Sequence, residues 1–73
     1  PNREFELLRF LAEHPNLVFS KEQLFETIWG YDYVSDAATV AVHINRLREK
    51  IEDDARNPKI IETVWGVGYR LNS

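Results

Sequence analysis

The chain has 73 residues, enough for one small domain, with 44% hydrophobic and 29% charged residues and a formal net charge of −3. This balance is typical of a folded globular chain and excludes a disordered one. The sequence has no cysteine, which excludes a disulfide framework, a thiolate zinc site and a thiol nucleophile. No apolar run approaches the roughly 20 residues that span a bilayer. We expect a cytoplasmic protein without a signal peptide, and the abrupt start at Pro1 suggests a fragment of a longer protein.

A first helix is predicted from the N-cap Asn2 to the breaker at residues 15–16. Its apolar residues recur near the helical period and form the expected buried stripe: Phe5, Leu8, Leu11 and Ala12, with Leu7 beside them. His14 is expected at the helix end, where the helix dipole favours it. The β-prone residues 17–19 predict one short strand of a small sheet.

A second helix is predicted to begin with a capping box in which Ser20 and Gln23 satisfy each other's backbone amides. Leu24, Phe25 and Ile28 form its apolar face. Gly30 is expected to end it, since that position favours a positive φ.

A third helix is predicted from a cap at Ser35 or Asp36 to about Asp53. Its core stripe is expected to consist of Val40, Ile44, Leu47 and Ile51. On a neighbouring face the sequence places a basic seam of Thr39, His43, Arg46 and Lys50. Residues 39–50 carry three basic side chains against one acidic one, a local charge of +2 on an acidic chain. The acidic residues 52–54 are expected to form a solvated helix end.

A β-hairpin is predicted to follow, with strands at residues 60–64 and 69–71. The joining residues 65–68 include Gly66 and Gly68, which can take the positive φ of a tight loop. The predicted fold class is therefore α+β: a winged helix-turn-helix with three helices, a small antiparallel sheet and a C-terminal hairpin as the wing. In such a unit the second helix of the helix-turn-helix enters the DNA major groove.

The residues also resemble a known family, the C-terminal effector domain of OmpR/PhoB-type response regulators. The resemblance covers nearly the whole chain, and its most specific strings lie at residues 39–51 and 63–70. It is also carried by residues 4–8, 18–24 and 29–31. It implies a two-component transcription regulator that binds double-stranded DNA sequence-specifically. No cofactor is expected, and no enzymatic activity either, because Ser20 is better used as a cap than as a nucleophile and the order of elements suggests no Ser/His/carboxylate grouping. A receiver domain phosphorylated by a sensor histidine kinase and an N-terminal sheet would precede this domain in the family.

The resemblance also implies site residues. The recognition helix, about 36–53, would occupy the major groove, and the wing, about 60–72, would contact flanking backbone or the minor groove. The implied DNA-contacting residues are Thr39, Val42, His43, Asn45, Arg46, Arg48, Lys50, Thr63, Trp65 and Tyr69. Arg46 is the candidate for reading a guanine. The loop after the second helix, with Trp29, Tyr31, Asp32 and Tyr33, would contact RNA polymerase, and a dimer on direct repeats is implied.

Four positions depart from the pattern of many relatives. Ala38, Asn45 and Trp65 stand where many relatives carry arginine, and Ala41 stands where many carry an acidic residue. We therefore expect fewer phosphate contacts, a shallower salt dependence and a weaker monomer affinity than in a more basic relative.

Alternatives remain beside this interpretation. On composition alone, Arg46, Arg48 and Lys50 are more simply explained as a solvated helix face. The rival function is a winged helix that binds a protein through its aromatic loop or wing. The acidic net charge and Trp65 support this alternative. His14 and His43 lack a ligand cluster, so no metal site is expected. The Gly66–Gly68 segment opens no helix, so a turn is favoured over a nucleotide loop.

Overall fold

The computed structural model describes residues 2–30 and 38–73, and its elements follow the predicted order. Three helices precede a two-stranded antiparallel sheet within the described residues. The elements are α1 (Arg3–Glu13), α2 (Lys21–Ile28), α3 (Ala38–Ile51), β1 (Ile61–Val64) and β2 (Gly68–Leu71). The predicted α+β fold class is confirmed.

The α1 helix has the predicted ends but a different buried face. The Asn2 side chain accepts the Phe5 amide at 3.0 Å, and His14 is the C-cap. Leu7 and Leu11 are fully buried, whereas Phe5 is 59% exposed and Ala12 is exposed. The predicted stripe was therefore wrong at its edges. At about 100° per residue, Phe5 lies some 200° from Leu7 and faces away from the core.

The α2 helix confirms the predicted capping box. The Ser20 hydroxyl accepts the Gln23 amide at 3.0 Å, and the Gln23 side chain accepts the Ser20 amide at 2.8 Å. Gly30 follows the C-cap Trp29 with a φ of +91°, as predicted for the residue that ends the helix.

The α3 helix confirms the predicted core stripe, since Val40, Ile44 and Leu47 are buried and Ile51 is half-buried against the same core. The predicted caps at residues 35–36 lie outside the described residues. The helix ends at Ile51, two residues before the predicted end. Glu52 does not form a solvated helix end, because its carboxylate accepts hydrogen bonds from the backbone amides of residues 59–61.

The hairpin is confirmed with small shifts: β1 begins one residue later than predicted, and β2 begins one residue earlier. Ile61 pairs with Leu71, and Val64 pairs with Gly68 at the closed end. The Val67 amide donates to the Val64 carbonyl at 3.0 Å, and Gly66 at the turn has a φ of +78°. This confirms the turn role predicted for Gly66.

Gly68 is needed for space rather than for a positive φ, so that part of the prediction was wrong. A Cβ atom there would lie 2.7 Å from the Phe19 carbonyl carbon and 2.8 Å from the Ser20 Cα. The close approach arises because Phe19 and Tyr69 exchange two backbone hydrogen bonds of 2.9 Å. Residues 17–19 therefore add an isolated bridge to β2 rather than a full strand.

One hydrophobic core joins all three helices to the hairpin. Both α1 and α2 pack against α3, and β2 packs against α1. Strand β1 contributes the buried side chain of Ile61 to the same core. The buried members are Leu7, Leu11, Leu24, Phe25, Val40, Ile44, Leu47 and Ile61. Because the core stripe of α3 faces α1 and α2, the opposite face of α3 is exposed.

Candidate nucleic-acid interface

The exposed face of α3 is formed by Val42, Asn45, Arg46 and Glu49, whose spacings of 3, 1 and 3 keep them on one side of a helix. Val42 is 46% exposed. This outer face is shifted from the predicted basic seam towards Val42 and Asn45. It also contains a carboxylate, Glu49, which would repel phosphate.

Arg46 is the charged group on this face that is best placed to bind a ligand. Its side chain is exposed, and it has no ion-pair or hydrogen-bond partner within residues 2–30 and 38–73. A free, planar guanidinium can donate two parallel hydrogen bonds to guanine O6 and N7. Asn45 beside it offers the amide geometry that suits adenine.

Two other cations already have carboxylate partners. The Lys50 ammonium pairs with Glu4 at the start of α1. The Arg70 guanidinium pairs across the hairpin with Glu62 at 2.6 Å, and this hydrogen bond lowers the pKa of the Glu62 carboxyl. Both cations are partly neutralised by these pairs, which weakens them as phosphate ligands.

Arg48, which the resemblance places among the DNA-contacting residues, is not exposed to a partner. It is only 9% exposed. Its Nε and Nη2 donate to the Ile61 carbonyl at 3.1 and 2.8 Å, and Nη2 also donates to Thr63 Oγ1 at 2.8 Å. The reason is its position beside Leu47 and four residues after Ile44, at the edge of the core stripe that faces the hairpin.

The three wing residues implied by the resemblance separate into two groups. Thr63 and Tyr69 are half-buried and face Arg48, whose guanidinium carbon lies 5.7 Å from the Tyr69 ring centroid. Trp65 is 90% exposed at the hairpin turn. Trp65 is therefore the member of this group that is available to a partner.

Thr39 and His43 lie at the border between the outer face of α3 and α2. The His43 Nδ1 is 2.8 Å from the Thr39 carbonyl oxygen, which can only accept, so Nδ1 carries the proton. The His43 ring meets the Trp29 ring edge-on, with centroids 5.0 Å apart. These two contacts fix the imidazole and leave Nε2 as its remaining polar atom.

The aromatic loop is described only at its first residues. Trp29 is half-buried and stacks on Phe25 with centroids 5.4 Å apart and planes 4° apart, so packing accounts for it. Tyr31, Asp32 and Tyr33 lie outside the described residues, and a polymerase contact remains a prediction for them.

Sequence reasoning missed three residues near this surface. Glu52 binds backbone amides, although its place in an acidic run suggested solvent exposure. Val67 is an exposed apolar side chain beside Trp65 in the turn. Lys21, at the start of α2, lines a groove of about 330 Å³ together with Trp65, and only the tertiary structure brings them together.

Neither metal ligation nor membrane insertion finds support in the described part of the chain. Residues 2–30 and 38–73 contain no group of three or more histidine, aspartate or glutamate side chains placed to hold a metal ion. The same residues contain no helix that is long and apolar enough to cross a bilayer.

A core of three helices and a hairpin bound to the third helix define a winged-helix domain, and the outer face of that helix carries an arginine that is exposed and unpaired within the described residues. Comparison with known proteins agrees. The family described as "Transcriptional regulatory protein, C terminal" matches residues 1–71, and the chain belongs to this family.

Individual relatives give the same result. The response regulator SaeR of Staphylococcus aureus is 54% identical over 69 residues, which cover 94% of this chain and 30% of SaeR. The response regulator DrrB of Thermotoga maritima, an OmpR/PhoB homologue, superposes with a TM-score of 0.89 at 41% identity, over 100% of this chain and 33% of DrrB. The DNA-binding domain of Klebsiella pneumoniae RstA, solved in complex with the RstA box, gives 0.84 at 32% identity, over 99% and 71%. The chain thus spans about a third of the two full-length regulators.

Proposed function

We propose that this chain is the DNA-binding module of a transcription regulator of the two-component type. Its α3 helix would lie in the major groove of a duplex, and the hairpin would contact the flanking backbone or the minor groove. Family membership and the likeness to a domain solved with DNA support this proposal. The site residues are our own assignment.

The observation that carries the proposal is the exposed Arg46, unpaired within the described residues, at the middle of the outer face of α3. Because this guanidinium has no carboxylate partner among the described residues, it can bind a base without first breaking an ion pair. Asn45 and Val42 lie beside it, so one face presents a guanidinium, an amide and an apolar group. Such a set can distinguish guanine, adenine and the thymine methyl group.

The electrostatics favour a modest dependence of affinity on salt. Each phosphate neutralised by a lysine or arginine contributes about −0.9 to the slope of log affinity against log salt concentration. Arg48 is buried against the hairpin, and Lys50 and Arg70 are paired with carboxylates. We therefore expect only a few phosphate contacts per chain and a shallow slope.

The test is selection of duplexes from a randomised pool at two salt concentrations, followed by affinity measurements on the enriched sequence. We expect Arg46→Ala to weaken binding by about 1–3 kcal/mol and to relax preference at one base pair. The matched control is Arg9→Ala, which removes the same charge from the exposed surface of α1, and it should leave sequence preference unchanged.

A chain that enriches no sequence, with a salt slope near zero, would refute DNA binding. It would favour the rival function, a winged helix that binds a protein through its exposed wing. If a sequence is enriched but Arg46→Ala and Arg9→Ala have equal effects, DNA binding would stand and base reading by Arg46 would fail.

We propose the remaining partners from the family alone. The whole protein would be controlled by a sensor histidine kinase through a receiver domain, and two copies would bind direct repeats. RNA polymerase would be a further partner through the loop after α2. Binding to duplexes with one and with two copies of the selected half-site tests the pairing, because a dimer should prefer the second duplex.

A further inference from the structure

Arg48 in the last turn of α3 and Glu52, the residue that follows α3, bind the same residue of the hairpin. Arg48 donates to the carbonyl oxygen of Ile61, and Glu52 accepts from the amide of Ile61 at 2.8 Å. Both peptide groups of one β1 residue are thus bound to the C-terminal end of the helix proposed to read DNA and to the residue that follows this helix. We refer to Arg48 and Glu52 as the α3 clamp.

The arginine half of the clamp is buried and geometrically specific. Its Nε and Nη2 approach one carbonyl oxygen, and Nη2 also donates to Thr63 Oγ1 at 2.8 Å. The guanidinium also lies against the Tyr69 ring. One side chain of α3 therefore contacts both strands of the hairpin, and a lysine could not reproduce this fork because its ammonium is a point charge.

The glutamate half fixes the segment that leads into β1. Its two carboxylate oxygens accept four hydrogen bonds, between 2.8 and 3.0 Å, from the amides of three consecutive residues, Lys59, Ile60 and Ile61. Hydrogen bonds to an ionised carboxylate are stronger than those between neutral groups. The clamp thus determines where β1 starts relative to the last turn of α3.

We propose that Arg48 and Glu52 are positioning residues that hold the wing at a fixed distance and angle from α3, so that both can engage one duplex together. This inference rests on the proposed function. Trp65 at the wing tip lies only two residues beyond Thr63, so the clamp lies close to the part of the hairpin that would reach DNA. It assigns Arg48 a task within the protein rather than a contact with phosphate.

The test is a pair of double-mutant cycles on the selected duplex. Trp65→Ala should weaken the wild-type chain by about tenfold, in the range of an aromatic contact with nucleic acid. In a Glu52→Gln background the same change should cost less than about twofold, because a displaced wing no longer engages DNA. Arg46→Ala should keep its full penalty in that background, because α3 itself is unchanged.

The cycles separate positioning from simple loss of folded protein. If Glu52→Gln only reduced the folded fraction, every affinity would fall by the same factor and both penalties would persist. Glu26→Gln, which alters an exposed carboxylate on α2, is the matched control and should leave both penalties intact. Hydrogen exchange should show hairpin amides opening about tenfold more readily in Glu52→Gln, with α1 amides unaffected.

Arg48→Lys separates positioning from a direct phosphate contact. A phosphate contact predicts that lysine restores affinity and that Arg48→Met lowers the salt slope by about one. Positioning predicts that lysine fails to restore affinity and that the slope is unchanged. An undiminished Trp65→Ala penalty in the Glu52→Gln background would overturn the inference while DNA binding stands. A wild-type chain that selects no duplex would instead refute the proposed function and, with it, the role of the clamp on DNA.

Discussion

Replacing Gly68 with alanine offers the sharpest test of how the hairpin is joined to the rest of the chain. Gly68 does not have a positive φ, so its backbone conformation suits alanine. At such a site, glycine-to-alanine changes stabilise a protein by about 0.4–1 kcal/mol, because they restrict the unfolded chain. The structure predicts the opposite sign, since the new Cβ would clash with the Phe19 carbonyl oxygen and would also lie 2.7 Å from the carbonyl carbon of Phe19 and 2.8 Å from the Ser20 Cα.

The magnitude follows from what must move. Backbone atoms cannot rotate away as a side chain would, so the contact forces Phe19 away from Tyr69. That movement breaks the two 2.9 Å hydrogen bonds between them. At about 0.5–1.5 kcal/mol each, their loss lowers the free energy of unfolding by about 1–3 kcal/mol. A core of this size rarely supplies more than about 3–5 kcal/mol, so the variant should lose much of its stability.

The free energy of unfolding, measured in urea, tests this. It is compared for alanine and asparagine variants at both positions: Gly68→Ala, Gly68→Asn, Gly66→Ala and Gly66→Asn. Gly66 has open space but a φ of +78°, so alanine should cost about 1–2 kcal/mol there, and asparagine, which tolerates that region, should cost less. At Gly68 asparagine should be no better than alanine. A neutral or stabilising Gly68→Ala would refute the steric argument, and rescue of position 68 by asparagine would mean that conformation rather than space is decisive.

One prediction concerns pH. Burial acts to raise the pKa of Glu52, but hydrogen bonds from the amides of residues 59–61 and the charge of Arg48 outweigh it and hold this pKa below 4.5. The carboxylate therefore stabilises the fold fully above pH 4.5, and this contribution is lost as the pH falls through the lower folded-state pKa. Glu52→Gln should flatten the acid limb of a stability-versus-pH curve measured by urea unfolding, and an unchanged limb would contradict this.

The arginines of this chain show why a charge count does not define an interface. Arg46 and Arg48 are two positions apart in one helix and differ by about 200° in direction. Arg46 is therefore exposed and unpaired within the described residues, whereas Arg48 is buried against the hairpin. Arg70, in the wing itself, is paired with Glu62. Within residues 2–30 and 38–73, an acidic chain can thus present an unpaired guanidinium on the outer face of its third helix, although its net charge is negative.

Much of the fold could be predicted from local patterns in the sequence. The Ser20 capping box, the helix-ending Gly30 and the turn at Gly66 were predicted because each depends on backbone conformation within a few residues. The core stripe of α3 was predicted because a helical period is itself a local property. The family strings then assigned these elements to a winged helix, and the family match confirms this.

The tertiary structure decided which side chains are free and which are engaged. Nothing within a few residues of Arg48 or Glu52 shows that both bind Ile61, because that residue approaches only when the hairpin folds back onto α3. The same holds for Gly68, whose small size matters only because Phe19 lies against it. The sequence by itself thus determined the elements, their order and the family. The contacts between elements distant in the chain determined which charges can meet a partner, because burial and pairing are properties of the packed core and not of the local pattern.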